Sequence, residues 1–88
     1  MFRMTIEDVF AIRGRGTVAT GRVESGQLRV GDEVLVNGTM SVTVDAIEAF
    51  RQQMTEANVG DNIGVLLRKV ERSQLKRGDV LSAGVTIY

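Results

Sequence analysis

Gly14, Gly16, Gly21 and Gly26 divide the stretch from Ile12 to Gly26, I-R-G-R-G-T-V-A-T-G-R-V-E-S-G, and leave the chain few conformational choices. Between Gly16 and Gly21 runs Thr17-Val18-Ala19-Thr20, which is β-branched and small-apolar. This reads as a strand framed by tight turns. Gly14 and Gly16 take backbone angles closed to other residues, so the preceding strand can reverse within about three residues. Ser25-Gly26 closes the far end as a second turn. Gly16 and Gly21 also have the spacing of a phosphate-cradling loop, but that loop needs a Lys and then a Ser or Thr at a strand-to-helix junction. Arg22 and Val23 follow here inside strand-like sequence, so no nucleotide site is expected.

Ten glycines, no proline and repeated short alternating segments predict an all-β domain with tight turns. From Met4 to Ile12 the even positions are apolar except Asp8, which marks a bulge or a local carboxylate hydrogen bond, or else a functional residue. Leu28 and Val30 alternate with Gln27 and Arg29, and Val34–Val36 is a short strand running into Asn37-Gly38, a hairpin signal because both residues tolerate positive φ. Met40 to Ala46 alternates, then the phase slips at Ile47, which predicts a bulge near Ala46 that aims Glu48, Phe50 and Arg51 at a rim. Gln52 to Asn58 reads as a loop or a frayed turn. Ile63–Leu67 reads as the most central strand, Ser73–Arg77 as one helical turn capped by Ser73, and Val80-Leu81 and Val85–Tyr88 as closing strands. Val30-Gly31-Asp32, Val59-Gly60-Asp61 and Arg77-Gly78-Asp79 each precede an apolar strand; unequal spacing argues against a repeat array and for one turn solution used three times. So many short strands must hide two sheet edges, most economically by closing into a barrel.

Composition narrows the chemistry. The 88 residues, 1–88, make a single domain, and 43% hydrophobic content is enough to fold it. Without cysteine or histidine, disulfides, thiol nucleophiles, imidazole acid–base chemistry and the usual zinc sites are excluded. Glu7 and Asp8, adjacent in a strand, are expected on opposite faces, which is wrong for a carboxylate pair. The other acids are too scattered for a calcium loop. No catalysis, cofactor or metal is expected. Short apolar runs and the lack of a leader-like start point to a cytoplasmic protein with no membrane partner. Arg77-Gly78-Asp79 shares letters with an adhesion motif, and turn chemistry accounts for it. Eleven basic and eleven acidic residues cancel, so any nucleic-acid binding must be local or shared with another domain. Arg13, Arg15, Arg22, Arg51 and Arg77 suit phosphates; on the residues alone, zero net charge favours instead a solvated rim with ion pairs to Glu24, Glu48 or Glu71.

Ile6-Glu7-Asp8-Val9-Phe10 followed by G-R-G-T-V-A-T-G-R-V-E resembles the start of the second domain of elongation factor Tu-type translational GTPases. The resemblance continues through Val30–Val34, Glu48–Arg51, Val59–Arg68 and Leu75–Leu81, in the family's order over nearly the whole chain. It implies a small closed six-stranded antiparallel barrel with Greek-key features. It also implies a role in holding the aminoacylated 3′ end of tRNA against a GTPase domain and in touching small-subunit ribosomal RNA. By motif, Glu7, Ile12, Val18 and Leu66 would line the terminal-adenine pocket, and Glu48 would accept from the terminal ribose hydroxyl. Phe50 and Asn62 would lie by the α-amino group, Arg51 would meet the 3′ phosphates and Arg77 the 5′ phosphate. Gly14-Arg15-Gly16 would form the ribosome-facing turn. Ala49 and Gln52 replace the larger or basic residues usual beside the Phe-Arg pair, and the loop after Asn37-Gly38 is short. Two parentages are open: a piece of a GTPase, or a stand-alone barrel serving protein interaction or regulation without RNA. Met1 and the Tyr88 end lean toward the second.

Overall fold

The computed structural model describes residues 1–84. Strands β1 (Arg3–Ile12) and β2 (Gly16–Ser25) are ten residues each and pair antiparallel about the glycine turn. There the Arg15 N–H donates to the Ile12 carbonyl at 2.9 Å. Gly16 has φ +131°, and a Cβ there would lie 2.8 Å from the Arg68 Cα, so both backbone angle and packing require glycine.

The expected interruption at Asp8 is a bulge. The β1–β2 register shifts between Ile6 and Asp8, and the Asp8 carboxylate accepts the Val9 N–H at 3.1 Å. A one-residue slip in a period-two element exchanges the faces. Met4 and Ile6 are buried before it, Val9 is buried after it, and Phe10 and Ile12 are turned out to solvent. Glu7 and Asp8 are both exposed at the bulge, which corrects the expectation that they face opposite ways.

The chain continues through β3 (Gln27–Arg29), β4 (Glu33–Val36), β5 (Met40–Thr43), β6 (Ala46–Ala49), β7 (Gln52–Met54), β8 (Glu56–Asn58), β9 (Asn62–Leu67) and β10 (Val80–Ala83). Eight strands form one sheet in the order β5-β4-β10-β1-β2-β9-β6-β7, and β3 pairs with β8 in a second, two-stranded sheet. The all-β expectation holds, and no α-helix occurs among the described residues. The closed six-stranded barrel does not: the main sheet is an open eight-stranded half-barrel with β5 and β7 at its ends. The cause lies at Val44-Asp45. Val44 hydrogen-bonds to Asp32 and Gly31, on the β4–β5 side, while the Asp45 N–H donates to Leu66 of β9. The chain thus passes from one end of the sheet to the other within two residues. β5 and β6, consecutive through this switch, form no ladder with each other, unlike the β1–β2, β4–β5 and β6–β7 hairpins, and the sheet curls without sealing. The same strand switch, rather than a bulge, produces the phase slip at Ile47.

Three further expectations need correction. Gln52–Asn58 is not a loop but β7 and β8, with Ala57 fully buried against the core. β9 is interior, but the long β1–β2 pair holds the middle of the sheet. The helical turn is a 3-10 segment at Arg72–Gln74 led by Glu71, whose N–H is taken by Gln74 Oε1 at 2.9 Å, so Ser73 lies inside it rather than capping it. The expected strand at Val85–Tyr88 lies outside the described residues.

The threefold turn is real. Gly31, Gly60 and Gly78 have φ +96°, +91° and +94°. The N–H of each aspartate bonds to the carbonyl three residues back, and its carboxylate accepts that same residue's N–H: Asp32 with Arg29, Asp61 with Asn58, Asp79 with Lys76. This is a type II turn locked by its fourth residue. A single core, including Met4, Ile6, Val23, Leu28, Ile47 and Leu67, lies on the inner face, each large side chain contributing about 1.5–3 kcal/mol. No helix of the described residues is long and apolar enough to cross a membrane.

Candidate nucleic-acid interface

The outer face of β1, β2, β9 and β6 is set by register. Phe10 pairs with Val18, Val18 with Leu66, and Leu66 with Ala46. The next row runs Asp8, Thr20, Gly64, Glu48. Inner residues of the same strands, Val9, Ala19, Val65 and Ile47, belong to the core, so the alternate residues face out. Gly64 leaves the second row without a side chain at its centre: a Cβ there would meet Val18 Cγ1 at 3.2 Å. The result is a surface depression of about 370 Å³ lined by Glu7, Glu48, Phe50, Arg51, Asn62 and their neighbours.

Phe50 and Arg51 form the two-residue turn between β6 and β7, where Ala49 pairs with Gln52. Their φ values are +53° and +62°, so both occupy the left-handed region that costs an L-residue roughly 1–2 kcal/mol. The other turn with consecutive positive φ, Asn37-Gly38 at +51° and +73°, uses the residues such turns favour. Phe50 gains nothing from packing in return: it is 90% exposed. An aromatic ring and a guanidinium are therefore held out beside the depression at a cost to the fold.

Five of the sequence-predicted residues, Glu7, Glu48, Phe50, Arg51 and Asn62, meet in this depression. Arg77 reaches its edge, with Nε donating to the Glu7 carbonyl oxygen at 2.9 Å. Ile12, Gly14 and Arg15 line a neighbouring depression at the β1–β2 turn, together with Arg68 and Arg72. The two depressions are joined by an ion pair, Arg15 Nη2 to Glu48 Oε1 at 3.2 Å. This is one of the pairings expected of a solvated rim, and at such exposure it contributes about 0–1 kcal/mol. Val18 and Leu66 lie between, but Leu66 is only 2% exposed and has little surface to offer. Sequence reasoning omitted Phe10, which is 49% exposed beside Val18. The signal was available in the phase break at Asp8, which predicts that residues beyond it change face.

Carboxylates at Glu7 and Glu48 accept from hydroxyl or ammonium donors, Arg51 and Arg77 donate to phosphate oxygens, and Phe10 and Phe50 offer aromatic surface. Away from this face, hydrogen bonding from Thr5, followed by the Arg3 guanidinium, holds the Glu24 carboxyl below its ordinary value. No group of three or more metal-ligating side chains forms among the described residues.

The fold and this face define an all-β module with an exposed surface of mixed charge and aromatic character. Residues 16–82, well over half of the chain, match the family described as elongation factor Tu domain 2, and the chain belongs to that family. Domain 2 of elongation factor Tu is a non-catalytic β-barrel domain of a translation factor. Of the residues above, Glu7, Phe10, Ile12, Gly14 and Arg15 precede the matched span.

Proposed function

We propose that this chain is an RNA-contacting module of an elongation factor Tu-like translational GTPase, working in the cytoplasm with a GTPase domain that forms the other wall of its cleft. It holds the aminoacylated 3′ end of tRNA. Glu48 accepts from the terminal ribose hydroxyl, Glu7 meets the polar edge of the terminal adenine, and Phe50 and Asn62 lie beside the amino acid. Arg51 and Arg77 neutralise acceptor-end phosphates, while Gly14-Arg15-Gly16 faces small-subunit ribosomal RNA.

The observation that carries this reading is the Phe50-Arg51 turn. A hairpin that needs only to reverse direction is best served by Asn-Gly; one that presents an exposed ring and a guanidinium beside two carboxylates serves a ligand. The mixed charge of the depression supports the same conclusion, since an aminoacylated ribose supplies donors and the adjoining nucleotides supply phosphates.

The test is fluorescence anisotropy of a labelled aminoacylated acceptor minihelix titrated with the chain at several salt concentrations. Binding should weaken with salt, and Arg51→Gln should lower the log–log salt slope by roughly 0.7–1. Absence of binding at millimolar concentration, or binding indifferent to salt and to Arg51, would refute the proposal and direct attention to protein partners.

A further inference from the structure

Asn37-Gly38 is a functional group as well as a turn. The Asn37 side chain is clamped at both ends of its amide onto the start of β10 and the turn residue before it: Nδ2 donates to Asp79 Oδ1 at 3.1 Å and Oδ1 accepts the Val80 N–H at 2.9 Å. The main chain adds a third bond, Asn37 N–H to the Val80 carbonyl at 2.8 Å. Asp79 is 5% exposed, and its second oxygen is already taken by the Lys76 N–H at 3.0 Å. The clamp therefore needs a group that donates and accepts at once, which an amide does and a carboxylate does not.

We infer that Asn37 is a site of spontaneous deamidation whose rate is governed by the clamp and whose product undoes it. In the reaction the Gly38 nitrogen attacks Asn37 Cγ. An N–C bond forms, the Cγ–Nδ2 bond breaks, and Nδ2 leaves as ammonia carrying the proton lost by Gly38. Water then opens the resulting cyclic imide at either carbonyl to give aspartate or isoaspartate. Gly38 has no side chain to hinder the attack, and nothing lies within 4 Å of where a Cβ would be. Asn58 and Asn62, followed by β-branched Val59 and Ile63, serve as slow internal references.

Closing the five-membered ring carries the amide carbon off β10 and breaks both side-chain bonds, one of them to a charged, buried acceptor. Only the opened hairpin reacts. Once Asn37 is converted, a second carboxylate faces Asp79 and the donor to Oδ1 is gone; isoaspartate also lengthens the main chain within the turn. Either product loosens the β4–β5 hairpin from β10.

The experiment follows Asn37 by peptide mapping in the full chain, folded and unfolded in urea, at neutral pH and one temperature. The folded chain should deamidate about thirtyfold or more slowly, the factor set by one ordinary and one charge-assisted hydrogen bond, and Asn37 should outpace Asn58 and Asn62 when unfolded. Asn37→Asp, made directly, should lower the thermal midpoint. Equal folded and unfolded rates would overturn the gating, unmodified Asn37 in the unfolded chain would overturn the site, and an unchanged midpoint in Asn37→Asp would overturn the coupling.

Discussion

Replacing Phe50-Arg51 with Asn-Gly should stabilise the protein while abolishing its proposed ligand contact. Both residues lie at positive φ, +53° and +62°. Relative to the right-handed region each carries roughly 1–2 kcal/mol of steric cost, which Gly avoids and Asn partly avoids. Little opposes the gain, because Phe50 is 90% exposed and Arg51 is also exposed. The removed side chains therefore take almost no buried area with them. Added unfolded-state entropy at the new glycine offsets about 0.5–1 kcal/mol. The net expectation for F50N/R51G is a gain of about 1–2 kcal/mol, or roughly 4–16 °C in Tm for a domain of this size. Thermal and urea unfolding by circular dichroism measure it, with an unchanged urea slope showing that the unfolded state is comparable. An unchanged or lower Tm would show that the left-handed turn imposes no cost, and the inference that function maintains it would fail.

Other consequences follow from the same geometry. Gly64→Ala should weaken acceptor-end binding severalfold while changing stability by less than about 1 kcal/mol, because the new methyl occupies the floor of the depression and Val18 must yield only slightly from 3.2 Å; unaltered affinity by anisotropy would contradict the assignment of that floor. Asp79→Ala should cost about 2–3 kcal/mol and Asp61→Ala about 1 kcal/mol, since both lock the same turn but Asp79 is buried and also holds Asn37; equal costs in urea melts would count against the buried clamp. The Glu24 carboxyl, lowered from 4.5, contributes stability that is complete above its ordinary value and is lost as pH falls through the lowered one. Glu24→Gln should therefore show a shallower loss of Tm below pH 4.5, and parallel acid limbs in the two proteins would refute it.

Much of this molecule was legible in the chain because its punctuation is chemical. The three Val-Gly-Asp or Arg-Gly-Asp turns, the Asn37-Gly38 hairpin and the Gly14–Gly16 reversal each depend on a residue with one special conformational property. Asp8 announced its bulge by breaking an apolar row. What alternation could not supply was the consequence of that bulge, because a period-two pattern does not say which face wins after a slip; Phe10 was missed for that reason. β7 and β8 were hidden because their strand state is imposed by neighbours: Gln52, Gln53 and Glu56 have little intrinsic β-preference, and only buried Ala57 marks the segment. That the sheet stays open was not legible either, because it goes with the strand switch at Val44-Asp45, a long-range pairing that no local signal encodes. The clustering of Glu7, Glu48, Phe50, Arg51 and Asn62 came from the family resemblance, since these residues lie on four different strands or turns and nothing in their spacing brings them together.

The central claim is that the outer face of β1, β2, β9 and β6 is an RNA surface. The most direct measurement is an amide NMR titration of the labelled chain with an aminoacylated acceptor minihelix, repeated with the uncharged helix and at two salt concentrations. Shifts concentrated at Glu7, Val18, Glu48, Phe50, Arg51, Asn62 and Arg77, weakened by salt and reduced when the amino acid is absent, are predicted. Shifts spread evenly over the barrel, or none at millimolar RNA, would contradict it.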